Sequence, residues 1–247
     1  MKKLALVALS LCAFVSRVQA EPADYIYLPA VEYGEKEIDF KAGTAKDGAG
    51  DRESAASLGF GWGLAPSWWT ELYGKWHKPP GETTQFDAFE WENKFQLTEP
   101  GQYAIDVGFI TEIEITKLSA DPNELKVGPL FQTESGKMQY NFNVLFQRTF
   151  GGELPPDEER KTEMGYQWQV KYRHRAEFEF GAQGFGQMGE WNKWDTRQAQ
   201  FHNLGPAVFG KFDLGQRRKI RYNAAWLFGV TDATPDRTFR MQLEYEF

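Results

Sequence analysis

The sequence predicts an all-β protein, a transmembrane antiparallel up-and-down β-barrel of about 12 strands, within a range of roughly 10 to 14. Three observations predict this fold. Apolar and polar residues alternate along nearly the whole chain after residue 20, short and long connections alternate between the strands, and the last strand ends on Phe247. We expect short periplasmic turns and longer extracellular loops in such a barrel.

The first twenty residues differ from the rest and read as a cleaved signal peptide. Lys2 and Lys3 are basic, Leu4–Val15 is apolar, and Val18-Gln19-Ala20 fits the small-x-small rule for cleavage. We therefore expect a signal peptide at 1–20 and one outer-membrane barrel domain at 21–247. A lipoprotein signal at Cys12 is the alternative, and the bulky Leu11 before it disfavours lipidation.

Composition excludes several classes of protein. Cleavage removes three of the 28 basic residues and no acidic one, so the mature chain is strongly acidic and nucleic acid is not an expected partner. It also removes the single cysteine, which excludes disulfides and thiolate chemistry. The mean hydropathy is −0.57, yet aromatic residues make up 16% of the chain. No apolar run approaches the roughly 20 residues of a spanning helix, and a barrel reconciles these values.

The last strand shows the alternation most clearly. Its apolar face resembles the C-terminal strand that outer-membrane barrels present to the barrel assembly machinery, which predicts that machinery as a partner. That assembly signal comprises Phe239, Met241, Leu243, Tyr245 and Phe247. Other clear strands are 89–97, 103–115, 138–146, 164–173, 177–183 and 220–230, and weaker ones are 31–45, 55–65, 68–78, 125–133 and 201–212.

The connections sort into two kinds. The short ones are 65–67, 99–102, 134–137, 174–176 and 213–218, and the longer ones are 46–54, 78–85, 118–124, 150–162, 187–199 and 231–236. Outer-membrane lipid and lipopolysaccharide are expected partners of the outer face. An interfacial aromatic girdle is predicted at Tyr33, Trp68, Trp69, Trp76, Tyr103 and Tyr222. Trp191 and Trp194, in a predicted extracellular loop, join the girdle or contact a ligand or lipopolysaccharide.

Charged residues of both signs occupy the predicted inner face. Assumed registers place Lys94 opposite Asp106, Arg173 opposite Glu177, Lys171 opposite Glu179 and Arg221 opposite Glu246. These pairs favour structural charge ladders, and the alternative is that they also set ion selectivity. Glu90, Glu92, Glu112 and Glu114 have no evident basic partner, so an open lumen would favour cations. The lumen-lining candidates are Glu90, Glu92, Lys94, Asp106, Glu112, Glu114, Lys171, Arg173, Glu177, Glu179, Arg221 and Glu246.

The sequence contains no evident catalytic constellation. His77, His174 and His202 are its histidines, and none of them belongs to an H-x-S motif of the kind a lipase would use. We therefore predict no enzymatic activity, and keep an outer-membrane hydrolase as the third alternative. No residues have metal-ligand spacing, and neither a metal nor a cofactor is expected. The glycines of Leu58–Leu64 fit a tightly curved strand better than a nucleotide-binding loop.

Two stretches carry a family resemblance. Leu58–Trp76, which contains Gly-Leu-Ala-Pro-Ser-Trp-Trp-Thr-Glu-Leu, and Phe89–Thr98, with Phe-Glu-Trp-Glu-Asn-Lys-Phe-Gln-Leu-Thr, are similar to the outer-membrane family associated with meta-pathway phenol degradation. The resemblance implies passive uptake of small, aromatic molecules. Together with the polar inner face, it leads us to expect a porin-like narrow channel or uptake protein for small solutes. A closed structural or surface-binding barrel without transport is the alternative.

Overall fold

The computed structural model of the protein describes residues 21–154 and 159–247. The expected signal peptide at 1–20, with the alternative lipoprotein signal at Cys12, lies outside the described residues and stays a prediction. The four residues 155–158 of one long connection are also outside them. No helix within the described ranges is long and apolar enough to cross a membrane.

The fold is a closed antiparallel β-barrel, as the sequence predicts. Twelve long strands follow one another around the wall in chain order, and β13 pairs with β1 to close it. The two-residue β10 extends the β9 hairpin outside the ring. The strands are β1 Lys36–Lys46, β2 Arg52–Ala65, β3 Trp68–Lys78, β4 Gln85–Gln96, β5 Asp106–Thr116, β6 Asn123–Ser135, β7 Met138–Phe150, β8 Thr162–Arg175, β9 Phe178–Glu190, β10 Lys193–Trp194, β11 Phe201–Gly215, β12 Arg218–Gly229 and β13 Arg237–Glu246.

Short and long connections alternate as predicted, with one exception, because 97–105 has nine residues where a short turn at 99–102 is expected. At one end, here the short-turn end, the connections are 66–67, 97–105, 136–137, 176–177 and 216–217. At the other, the long-loop end, they are 47–51, 79–84, 117–122, 151–161, 191–200 and 230–236. This arrangement is typical of outer-membrane barrels.

The two faces of the wall differ in chemistry because successive residues of a strand point to opposite sides. The inner face buries charged and amide side chains, whereas the outer face exposes large apolar ones. A closed wall with an apolar outside and a polar inside suits a lipid bilayer, so we treat the strands as membrane-spanning. Outward residues include Phe40, Phe60, Trp62, Leu72, Trp91, Phe142, Trp226, Phe239 and Leu243.

Three aromatic residues of the predicted girdle lie elsewhere. Trp69 points into the barrel and is only 5% exposed, since it falls on the inward parity of β3. Tyr33 and Tyr103 are exposed but precede β1 and β5, because these strands begin at Lys36 and Asp106, later than the predicted 31–45 and 103–115. Gly34, with φ of 80°, turns the chain away from the wall just before β1.

Candidate functional site

Residues 21–35, here the luminal segment, enter the barrel, with 21–29 inside it and 30–35 at the entrance, where Tyr33 is exposed. The segment leaves β1 at the short-turn end, where Glu32 pairs with Lys219 at 3.1 Å and with Arg221 at 2.8 Å. Its other end reaches the long-loop half, where Glu21 pairs with Lys75 at 3.1 Å. The sequence pattern does not reveal this segment, and the strand predicted at 31–45 includes part of it.

Polar side chains of the wall hold the backbone of the luminal segment. Gln96 Oε1 accepts a hydrogen bond from the Val31 amide at 2.8 Å. Asn143 Nδ2 donates to the Tyr27 carbonyl at 3.0 Å. Such contacts are needed because buried backbone groups in a water-poor interior must find partners.

Two tyrosines anchor the middle of the segment. The Tyr27 hydroxyl donates to Glu112 Oε2 at 2.6 Å, and the Tyr25 hydroxyl donates to Glu92. The Lys41 ammonium lies 3.3 Å from the centre of the Tyr25 ring, within cation–π range. The phenols thus compensate carboxylates that the wall alone would leave partly unsatisfied.

Apolar contacts alternate with these polar ones. Ile26 packs into one buried cluster, with Leu28 against it, and Tyr27 joins a second. Burying a large apolar side chain contributes about 1.5–3 kcal/mol, so these residues are substantial anchors. The first cluster comprises Ile26, Phe185, Phe201, Ala207, Phe209, Ala225 and Leu227, and the second Tyr27, Ile110, Leu130 and Leu145.

Glycines of the wall make room for the segment. A Cβ at Gly43 would lie 1.9 Å from the Pro22 carbonyl oxygen, and one at Gly108 would lie 2.8 Å from Pro29 Cα. No side chain fits at either position while the segment is in place. The wall is therefore shaped to receive this backbone.

The segment leaves two cavities inside the barrel. The larger, here the vestibule, has a volume of about 480 Å³ and lies toward the short-turn end; the smaller has about 80 Å³ and lies toward the long-loop end. Sites for small ligands commonly have volumes of this larger size. The vestibule is lined on one side by Glu37, Asp39, Trp69, Glu71, Tyr73 and Glu244, and on the other by Gln139, Lys171, Arg173, Phe209, Lys211 and Arg221.

The structure places the predicted lumen-lining residues on inward positions of the wall, with one exception. Glu177 lies in the turn between β8 and β9 and is exposed, because that turn is 176–177 and not 174–176. Inward positions are occupied by Glu90, Glu92, Lys94, Asp106, Glu112, Glu114, Lys171, Arg173, Glu179, Arg221 and Glu246.

Three of the four glutamates that lack an evident basic partner in the sequence form ion pairs in the structure, and the fourth, Glu92, accepts a hydrogen bond from Tyr25. Lys75 lies 3.0 Å from Glu90 and 2.5 Å from Glu114, and Lys126 lies 2.7 Å from Glu112. Sequence reasoning missed both lysines, although their inward parity on β3 and β6 was a usable signal. The expectation that these acids lack a basic partner is therefore wrong for Glu90, Glu112 and Glu114.

Two of the four predicted charge pairs form. Lys171 lies 3.0 Å from Glu179, although its partner in the ladder is Gly181. Arg221 reaches Glu246 at 2.5 Å, although its partner in the ladder is Glu244, two residues away. The long side chain of arginine spans this diagonal, so the predicted ion pair forms although the predicted register of β12 and β13 is wrong.

The other two pairs are wrong because the registers differ. Arg173 makes its ion pair with Glu134 of β6, and its Nη1 lies 2.7 Å from that carboxylate. Lys94 stands opposite Ile110 and not opposite Asp106, because the connection between β4 and β5 is longer than predicted. The side chain of Lys94 lies over the Trp69 ring at 5.6 Å.

No histidine among the described residues is paired with a serine. His77 Nε2 lies 2.8 Å from Glu53 Oε1. His202 lies at hydrogen-bonding distance from Tyr166 and Gln200, 2.8 Å from each. These contacts give the hydrolase alternative no support.

Two carboxyl groups, those of Glu32 and Glu35, have pKa values shifted in opposite directions where the segment enters the barrel. Burial, followed by hydrogen bonding with Glu32 and Glu246, raises the pKa of Glu35. The pKa of Glu32 is lowered, first by its hydrogen bond from Glu35 and then by Lys219. Glu35 is therefore the protonated partner at neutral pH.

Comparisons with known proteins place the fold. No family model and no curated protein match the chain. An outer-membrane channel from Pseudomonas putida F1 superposes with a TM-score of 0.60 and 10% identity, over 92% of this chain and 99% of the other. The NanC porin gives 0.54 and 13%, and the KdgM porin 0.53 and 8%, each over 85% of this chain and 98% of the other. The chain has the fold of outer-membrane porins and channels. At these identities the likeness concerns the fold alone.

Proposed function

We propose that the protein is an outer-membrane channel for the passive uptake of small solutes. The observation that carries the proposal is the closed polar lumen, which a non-covalently held segment divides and which keeps a vestibule of about 480 Å³. A barrel with a purely structural role has no need for such a cavity. Solutes would cross when the luminal segment moves aside or along the space beside it.

Aromatic solutes suit the vestibule. Tyr25, Tyr27, Trp69, Tyr73 and Phe209 line it beside amide and charged groups, a mixture that binds aromatic rings bearing polar substituents. The similarity of 58–76 and 89–98 to the phenol-degradation family supports the same class of solute. Membership of that family is part of this proposal.

The proposal includes how the protein is exported and assembled in the outer membrane. Residues 1–20 would direct secretion, and the outward apolar face of β13 would engage the barrel assembly machinery. The apolar belt would then contact outer-membrane lipid, with lipopolysaccharide around the long loops. Trp191 and Trp194, 54% and 57% exposed, lie in one of these loops and would contact lipopolysaccharide.

The alternative remains a closed structural or surface-binding barrel. The ion pairs formed by Lys75, Lys126 and Lys171 favour it, because paired charges can fill a small lumen. Charge pairing alone does not distinguish a filled barrel from a channel whose segment moves. A measurement of conductance distinguishes the two.

The test is planar-bilayer recording and liposome flux on two refolded proteins. One is the mature chain, and the other lacks residues 21–31, which removes Tyr25 and Tyr27 but leaves the entry turn before β1. We expect small or intermittent conductance from the mature chain and a several-fold larger, steady conductance from the shortened one. Uptake of phenol and benzoate into liposomes should rise in parallel.

The controls concern folding. Both proteins must show the heat-dependent shift in gel migration that indicates a folded barrel. If both are folded and neither gives conductance nor solute flux, the channel proposal is wrong and the closed barrel takes its place. Conductance of equal size in both would instead contradict the role given to the luminal segment.

A further inference from the structure

We propose that Glu37, Asp39 and Glu71 form a binding site for a hard divalent cation, Ca²⁺ in the first instance, on the wall of the vestibule. This inference goes beyond the channel function. The sequence gives no hint of it, since Glu37-x-Asp39 and the distant Glu71 match no metal-binding motif. Four features of the folded wall support it.

The first feature is the glycine between the two acidic strands. Gly61 of β2 is in register with Glu37 of β1 on one side and with Glu71 of β3 on the other. Because Gly61 has no side chain, the Trp69 ring lies above it, 2.4 Å from where a Cβ would stand, and Glu37 Cγ lies 3.1 Å from that point. One oxygen from each of Glu37, Asp39 and Glu71 lies within 4.8 Å of the others.

The second feature is a pair of buried carboxylate oxygens without a partner. Asp39 Oδ2 accepts hydrogen bonds from the Tyr73 hydroxyl at 2.8 Å and from Gln242 at 3.0 Å, whereas Asp39 Oδ1 accepts none. Glu71 Oε2 accepts from Trp69 Nε1 at 3.2 Å, whereas Glu71 Oε1 accepts none. Asp39 and Glu71 are 1% and 3% exposed.

Each carboxylate is thus oriented through one oxygen and leaves the other free. Burying an unpaired polar atom is costly, so a free oxygen in such a place indicates a missing partner. Hydrogen bonds that fix the outer oxygen of a carboxylate are a usual feature of metal sites. Tyr73, Gln242 and Trp69 would have this role here.

The third feature is the charge of the wall. Glu92 and Glu244 lie next to the three ligands. The cations that interact with these acidic groups are Lys41, Lys94, Arg221 and Arg240. Lys41 is 3.3 Å from Asp39 Oδ2, the oxygen that is already bonded, and not the free one. Lys94 lies over the Trp69 ring. On this wall five carboxyl groups therefore face four cations.

The fourth feature is access and size. Glu37 is half-buried and borders the vestibule, so water can complete the coordination of a bound ion. Ca²⁺ binds oxygens at about 2.3–2.6 Å, which allows ligand atoms to lie almost 5 Å apart, whereas Mg²⁺ at about 2.0–2.1 Å requires a tighter set. Oxygens that lie within 4.8 Å of one another suit Ca²⁺ better than Mg²⁺.

Equilibrium dialysis with radioactive Ca²⁺ tests the site on the refolded mature chain in detergent micelles. We expect saturable binding of one ion near neutral pH. Asp39→Asn and Glu71→Gln should each weaken binding by about tenfold or more, as loss of a ligand does. The matched control is Glu179→Gln, which removes a carboxylate from the opposite wall of the same vestibule and should leave the affinity unchanged.

Folding is checked by heat-dependent gel migration of every variant. If a buried substitution prevents folding, Glu37→Gln replaces it, because this half-buried side chain tolerates change. Absence of saturable binding by the mature chain overturns the proposal. An equal loss in Glu179→Gln also overturns it, because the effect would then reflect general charge.

A shared proton is the competing explanation for the free oxygens. Infrared spectra of the mature chain should show that Ca²⁺ alters the carboxylate bands and that Glu71→Gln abolishes the change. A carboxylic acid band that persists unchanged at saturating Ca²⁺, and that Glu71→Gln removes, would assign a proton to the site and overturn the proposal. Neither measurement depends on conductance, so the outcome is separate from that of the proposed function.

Discussion

The barrel wall and the luminal segment are held in place by different means. Every long strand of the wall is hydrogen-bonded through its backbone to two neighbours, and the ring has no free edge. The luminal segment has few backbone contacts and depends on phenols, ion pairs and the space left by glycines. The wall should therefore tolerate changes to the segment, whereas the segment should not tolerate changes to the inner wall.

The largest effect is expected from filling the space at Gly43. In Gly43→Val the new side chain would occupy the position of the Pro22 carbonyl, which lies 1.9 Å from a Cβ at this site. The backbone at Pro22 must move away, so we expect this end of the segment to leave that part of the lumen. Conductance should approach that of the protein lacking residues 21–31.

The matched control is Ala42→Val, one residue earlier on the outward face of β1. It should leave conductance at the level of the unaltered protein. If both valine substitutions raise conductance equally, the effect comes from a change in β1 itself. That result would contradict the claim that Gly43→Val acts by displacing the luminal segment.

The next effect concerns the wall alone. Phe142→Arg places a charge near the middle of the outer face of β7 and should cost about 2–4 kcal/mol of folding free energy. Phe150→Arg, with the same parity at the strand end, should cost about 0–1 kcal/mol. Urea unfolding in lipid vesicles measures both free-energy costs. Equal costs would contradict the assumption that Phe142 lies near the bilayer midplane and Phe150 near its edge.

A smaller effect is expected from Tyr27→Phe. The change removes the hydroxyl that donates to Glu112 at 2.6 Å and should weaken docking of the segment by about 1 kcal/mol, which is roughly fivefold. The fraction of time spent in the conducting state should rise by that factor. Tyr140→Phe, on the outer face, is the control and should change nothing.

The smallest effect is expected from pH. Because the pKa of Glu35 is raised, its contribution to docking is complete at low pH and lost as the pH rises through that raised pKa. Glu32, Glu246 and Lys219 face Glu35, and its ionisation adds repulsion from the first two. Conductance should increase about two- to fivefold at alkaline pH, since a partly exposed group contributes no more than about 1 kcal/mol.

Glu35→Gln resembles the protonated carboxyl group and should make conductance independent of pH over this range. A variant with the same alkaline rise as the unaltered protein would show that another group is responsible. In that case Lys219, which also titrates at alkaline pH, becomes the candidate.

The sequence predicted the wall well because its signal is local. Alternation along β7 or β13 identifies a strand and its faces without knowledge of the partner strand, and turn lengths then order the strands. Inward positions such as Glu112 and Lys171 follow from parity alone. Registers were less accurate, since the bulge at Tyr172–Arg175 and the long connection after Gln96 shift pairs by several residues.

The luminal segment and the three-carboxylate site could not be predicted in this way. Tyr25 meets Glu92 and Tyr27 meets Glu112 only after the wall has closed, and no spacing in the chain encodes these contacts. Glu37 and Glu71 lie on either side of Gly61 in the sheet, and this placement depends on two registers at once. The only signal for it in the sequence is a glycine, Gly61, at an inward-facing position of a strand.

The seam between β1 and β13 sets the order in which the molecule can assemble. Its two strands come from opposite ends of the chain, so the ring cannot close until the last strand is present. Tyr27 meets Gln167, 140 residues further along, and such distant partners delay the final steps of folding. A chain shortened at its C-terminus would thus lose the enclosure of its N-terminal residues as well as the seam.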